Sequence, residues 1–142
     1  MQRRQFIKTS CNACLLLAAG SVLFNSTGCT PVKYAVIKAN PVNDIIEIPI
    51  EVFNQSSLQI VRPKDWYYDI AVQKKNDNTY TALLLQCTHQ DNQLNVTGNG
   101  YHCSLHGSVF NKDGDVQKGP AETSLHQYAT ILNNNKLTIH LK

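Results

Sequence analysis

Beyond residue 40 the chain alternates short apolar runs with clusters of Asn, Asp, Gly and Pro, and after residue 30 no apolar period of 3.6 residues is sustained. That pattern predicts strands. Residues 44–50 read Asp-Ile-Ile-Glu-Ile-Pro-Ile, in which Pro49 has no N–H to give to a ladder and so predicts a strand end or a sheet edge. Residues 57–62, 66–75, 80–87, 125–132 and 136–141 are β-branched or aromatic runs bounded by turn residues. Asn76-Asp77-Asn78, Lys112-Asp113-Gly114-Asp115 and Asn133-Asn134-Asn135 sit where hairpin loops belong. Trp66-Tyr67-Tyr68 falls inside a predicted strand, so packing is the expected fate of these rings and a docking patch the alternative. No internal repeat interrupts the series, and the domain is expected to be all-β.

The N-terminus follows a different pattern. Arg3, Arg4 and Lys8 precede an apolar stretch centred on Leu15-Leu16-Leu17-Ala18-Ala19 that ends near Phe24. A cationic start, an apolar middle and small residues at Ser26-Thr27-Gly28 are the parts of an export signal, and the run is shorter than the roughly 20 residues that span a bilayer. Arg3-Arg4-Gln5-Phe6-Ile7-Lys8 resembles the twin-arginine export signal. Cys29 follows Gly28 as in a bacterial lipoprotein processing site, although Ser26 stands where that pattern has Leu. The expected organisation is an export signal over 1–28, a tether over 29–43 and the folded domain over 44–142, with Cys29 as the lipidation site. Two acyl chains anchor a protein stably where one is marginal. The alternatives are a retained signal-anchor helix and a soluble secreted protein.

Charge supports the division. The formal net charge of +3 lies wholly in the first 28 residues, since residues 29–142 hold ten Lys and Arg against ten Asp and Glu. The domain has no electrostatic footprint for nucleic acid. The 142-residue length of the chain is expected to hold one domain and not a multidomain enzyme, and hydrophobic residues at 42% argue against a disordered chain.

Of the five cysteines, Cys11 and Cys14 lie inside the signal and Cys29 at its end, leaving Cys87 and Cys103 for the domain. A lone pair in an oxidising compartment suggests a disulfide, but the neighbouring residues argue for a metal. Cys87-Thr88-His89 and Cys103-Ser104-Leu105-His106-Gly107-Ser108 each offer one thiolate and one imidazole, with thirteen residues between His89 and Cys103. Zinc is one reading of a Cys₂His₂ set, yet its sites pair like ligands at wider spacing than C-x-H. A two-iron cluster with two cysteines on one iron and two histidines on the other is the second reading.

The two motifs together resemble the Rieske [2Fe–2S] family, as does the later Gly119-Pro120-Ala121, which is similar to the proline loop that covers the cluster there. The resemblance implies a small antiparallel β domain with two cluster-binding loops and one cluster per chain. Cys87 and Cys103 would bind the inner iron, and His89 and His106 the outer iron. Two ferric irons, two sulfides and two thiolates sum to zero, whereas an all-cysteine cluster starts at −2; imidazole ligation therefore raises the potential. The high-potential members carry two further cysteines that bridge the cluster loops, at positions matched here by Asn92 and Leu105. Ser108 matches a serine whose hydroxyl donates to a cluster sulfide, whereas Phe110 replaces a tyrosine that bonds a cysteine sulfur. One donor kept of two implies an intermediate potential. Gly107 allows a tight loop beside His106. His102, at the wrong spacing for a ligand, and His126 and His140, in strand-like runs, are expected to be structural.

The resulting expectation is one-electron transfer at the outer face of the cytoplasmic membrane, as a carrier or an electron-transfer subunit without its own substrate site. The partners would be a redox donor and acceptor, with membrane attachment through the N-terminal anchor. The alternatives are a subunit of a membrane oxidoreductase complex that oxidises a quinol at His106 or passes electrons from a periplasmic catalytic subunit and, third, a structural zinc module. A Rieske oxygenase is not expected, because the 36 residues after His106 are too few for its second, iron-bearing domain.

Overall fold

The apolar runs become strands, and their burial explains why some alternate and others do not. A computed structural model describes residues 34–76 and 78–142; the signal, Cys11, Cys14 and Cys29 lie outside them. In chain order the strands are β1 (Val36–Ala39), β2 (Ile45–Pro49), β3 (Leu58–Pro63), β4 (Ile70–Asn76), β5 (Thr79–Leu84), β6 (Asn95–Thr97), β7 (Gly100–His102), β8 (Val109–Asn111), β9 (Val116–Lys118), β10 (Gln127–Asn133) and β11 (Lys136–His140). A 3₁₀ turn, Ile50–Asn54, follows β2.

Seven strands form one sheet in the order β1-β3-β4-β5-β10-β11-β2, and β6-β7-β8-β9 form a second. All pairings are antiparallel except β1 with β3. Pro49 closes β2, an edge strand, where its missing N–H leaves no ladder bond unmade. The β10–β11 hairpin turns through Asn134 and Asn135 at φ 44° and 63°, a conformation asparagine tolerates better than most residues.

Two apolar cores share the central strands. Val61, Ile70, Val72 and Ala82 pack with Ile46, Ile48, Leu137 and Ile139 in the first. Ile60, Ala71 and Leu83 point the other way, joining Leu85, Leu94, Tyr101, Phe110 and Leu125 in the second. Strands β3 to β5 are therefore buried on both faces, so they read as continuous apolar runs; β2, with one face buried, alternates.

The structure corrects three boundaries. The tether expected over 29–43 contains β1, whose pairing with β3 places part of that segment in the large sheet. Four residues of mixed polarity are too short for a period to register. The strand expected over 66–75 starts at Ile70, because Pro63 ends β3 and Asp65 turns at φ 63°. Trp66-Tyr67-Tyr68 consequently stands on a connection, with Tyr67 94% exposed. The strand expected over 80–87 ends at Leu84, after which Gln86 bridges to Gln93.

Candidate metal centre

Both loops that carry the ligand candidates are closed by backbone bonds at their bases. In the first, Leu94 N–H donates to Leu85 O at 2.9 Å and Cys87 N–H to Asn92 O at 2.9 Å, so residues 87–92 form the tip of a hairpin. The second runs from β7 to β8, where Cys103 N–H donates to Ser108 O at 2.9 Å and Gly107 N–H to Cys103 O at 3.0 Å. Gly107 takes φ 82°, which the tight return after His106 requires and L side chains rarely adopt. The hairpin beneath is held by Gly100, where an added Cβ would lie 2.0 Å from Phe110 O.

Two other segments brace these loops. Asp69 N–H donates to Gln93 Oε1 at 3.0 Å, and Asp69 O accepts from Leu85 N–H at 2.8 Å. The Asp69 carboxylate is itself gripped by Arg62 through two bonds of 2.7 Å, a fork that fixes its orientation and keeps the guanidinium pKa above its ordinary value. From the other side, residues 119–125 reach both loops. Ala121 N–H donates to Ser108 Oγ at 3.0 Å, and Thr88 Oγ1 donates to Thr123 O at 2.7 Å. Gly119 and Pro120 are exposed and joined by a cis peptide.

Within this frame the four ligand candidates separate into like pairs. Cys87 and Cys103 are unoxidised, 1% exposed, and belong to the second core. His89 and His106 are exposed, with ring centroids 5.0 Å apart and planes at 86°. Burial alone would raise the Cys103 thiol pKa. The backbone N–H groups of Leu105 and His106, with the Cys87 thiol and the Asn92 amide, surround its sulfur and hold it below the ordinary value. Among the described residues no three His, Cys, Asp or Glu side chains converge on one point, as a single ion would require. A thiol pair inside and an imidazole pair outside instead match a flat two-iron centre with unlike ends.

The family model of the Rieske [2Fe–2S] domain matches residues 39–129. The chain belongs to that family. A [2Fe–2S] cluster is the cofactor this membership implies, and it displaces the structural zinc reading. No curated protein matches the chain. Among solved structures, it is similar to the plasma-membrane Rieske protein PetC3 of the cyanobacterium Synechocystis PCC 6803, at 24% identity and a TM-score of 0.54 over 64% of this chain and 93% of that one. A chain from the complex of reduced oxygenase and oxidized ferredoxin in carbazole 1,9a-dioxygenase matches at 16% identity and 0.53, over 71% and 96%. A chain of a hyperthermophilic respiratory Complex III matches at 18% and 0.51, over 94% of each. These likenesses establish a shared Rieske fold.

Other sequence-flagged residues fall around the centre in distinct roles. Ser108 is fully buried behind the second loop, and Phe110 is fully buried on β8 opposite Tyr101. Tyr101 is itself 1% exposed. Burial first, then Asp113 and Tyr34, pushes the Tyr101 pKa up to about 12. Leu105 is 53% exposed beside His106. His102 pairs on β7 with Asn95 and Val109, and His126 packs its ring 4.6 Å from that of Tyr128. His140 stands on β11 with a buried Nε2 that has no partner. Sequence reasoning missed Gly100, Arg62 and Asp69 as supports. Only the glycine carried a local signal, a Gly just before an aromatic in a short strand.

Proposed function

We propose that this Rieske protein is an exported one-electron carrier or electron-transfer subunit, with Cys87 and Cys103 holding the inner iron and His89 and His106 the outer. The observation that carries this reading is the sorting of the four side chains into a buried thiol pair and an exposed imidazole pair. When bound, the cluster supplies a one-electron couple. The chain's own residues shield the sulfur end within apolar packing and leave the imidazole edge open to a partner. The purified domain should contain two irons and two acid-labile sulfides and show a Rieske-type electron resonance signal on reduction. One zinc per chain without sulfide sinks the proposal.

Ser108 supports an intermediate potential. Its Oγ accepts from Ala121 N–H, which leaves the hydroxyl proton available to donate towards the cluster. Ser108→Ala should lower the potential by several tens of millivolts, about 59 mV corresponding to a tenfold change for one electron. The same change strands the buried Ala121 N–H, at a cost of about 1–3 kcal/mol in unfolding free energy. An unmoved potential with the cluster intact means that the hydroxyl points elsewhere.

Twin-arginine export and lipidation at Cys29 place the domain at the outer face of the cytoplasmic membrane in this reading. That route carries folded proteins, which suits a cofactor inserted before export. Changing Arg3 and Arg4 together to Lys should leave precursor in the cytoplasm, and Cys29→Ala should release exported, unlipidated domain. If Cys29→Ala stays as firmly membrane-bound as wild type, the lipid anchor is wrong. The exposed Leu105 beside His106 supports a second reading, in which the chain is the quinol-oxidising subunit of a larger complex. Co-purification with a cytochrome or catalytic subunit distinguishes it from a free carrier.

A further inference from the structure

Asn92 touches both thiol-bearing loops. Its backbone carbonyl accepts from Cys87 N–H at 2.9 Å, closing the first loop. Its side-chain Nδ2 lies 3.6 Å from Cys103 Sγ, in the second loop, and 3.1 Å from Gln93 O. The distance to sulfur is long for nitrogen and oxygen but fits the larger radius of sulfur. Both neighbours of Nδ2 are acceptors, so the amide has one consistent orientation; turning it over would set Oδ1 against a carbonyl and a sulfur. The Gln93 carbonyl thus holds the group that faces Cys103. Asn92 is half-buried, which keeps this bond partly shielded from competing water.

We infer that Asn92 is a positioning residue that joins the two ligand loops without a covalent bond and sets the reduction potential by donating its amide N–H to Cys103 Sγ. The inference rests on the proposed role of Cys103 as an iron ligand. It goes beyond that role in giving the bridging job to position 92, where the resemblance matches a disulfide cysteine of the high-potential members. A neutral donor at a ligand sulfur stabilises the more negative, reduced state more than the oxidised one. Removing it should therefore favour the oxidised form.

Three variants of the full chain test this, with iron and sulfide content, the reduction potential and the electron resonance spectrum as readouts. Asn92→Ala should shift the reduction equilibrium about tenfold towards the oxidised state, roughly 59 mV lower in potential. Asn92→Asp preserves the side-chain shape but replaces the donor with a carboxylate, and should lie lower still. Asn92→Gln retains an amide and should fall between Asn92→Ala and wild type. If Asn92→Ala fails to load the cluster, the order of Asp below Gln carries the same sign. Equal potentials in wild type and every loaded variant overturn the assignment of Asn92 while leaving the ligand set standing. A wild-type protein without iron and sulfide overturns the ligand set, and the inference with it.

Discussion

Cys87→Ser and Cys103→Ser should each purify colourless, with iron and acid-labile sulfide near zero and no Rieske signal after reduction. A serine hydroxyl remains protonated near neutral pH and is a hard donor, so it does not replace a soft thiolate on iron. Each cysteine is 1% exposed within the second apolar core, so its replacement is shielded from solvent donors. The apoproteins should keep their β-structure, because one buried sulfur is a small part of a core that also holds Leu83, Leu85, Leu94, Tyr101 and Phe110. Retained far-ultraviolet dichroism alongside complete cofactor loss separates a ligand role from a packing role. Two irons and two sulfides in either variant would remove that cysteine from the ligand set.

Gly100→Ala should be the most damaging change outside the ligands. An alanine Cβ would sit 2.0 Å from Phe110 O and 2.8 Å from the Asn111 carbonyl carbon, both backbone atoms that no rotamer change can move. The backbone there also takes φ 151°, which L side chains rarely adopt. Relief requires β7 and β8 to separate, and their pairing of Gly100 with Asn111 and Tyr101 with Phe110 is the base of the second ligand loop. The expected loss is roughly 3 kcal/mol or more, at the upper end for a single substitution. For a domain of this size that corresponds to a fall in Tm on the order of 10 °C. Gly98→Ala is the control, since a Cβ there meets nothing within 4 Å. Matching melting temperatures for the two variants would show that β7 and β8 part without cost.

The strands of the large sheet were mostly legible in the sequence, because five to seven residues suffice for alternation or a sustained apolar run to show. The four strands of the small sheet have three residues each, too few for any period. Only the turn signal at Lys112-Asp113-Gly114-Asp115 marked their position. The aromatic run at Trp66-Tyr67-Tyr68 misled for a related reason: strand propensity is strong in these residues, but Pro63 and Asp65 set the backbone path.

The ligand candidates were readable because metal chemistry constrains both residue type and spacing within a loop, and two such loops occur in one short chain. The sequence by itself determined the candidate donors, the all-β class and the lack of a cysteine at positions 92 and 105. It did not determine which donors meet. Only the tertiary structure pairs thiol with thiol in the core and imidazole with imidazole at the surface, because that sorting depends on two hairpins approaching side by side. The contacts of Asn92 with Cys103, Ser108 with Ala121 and Thr88 with Thr123 bridge 11, 13 and 35 residues. No local pattern encodes them, since each arises from loops that the shared core brings together.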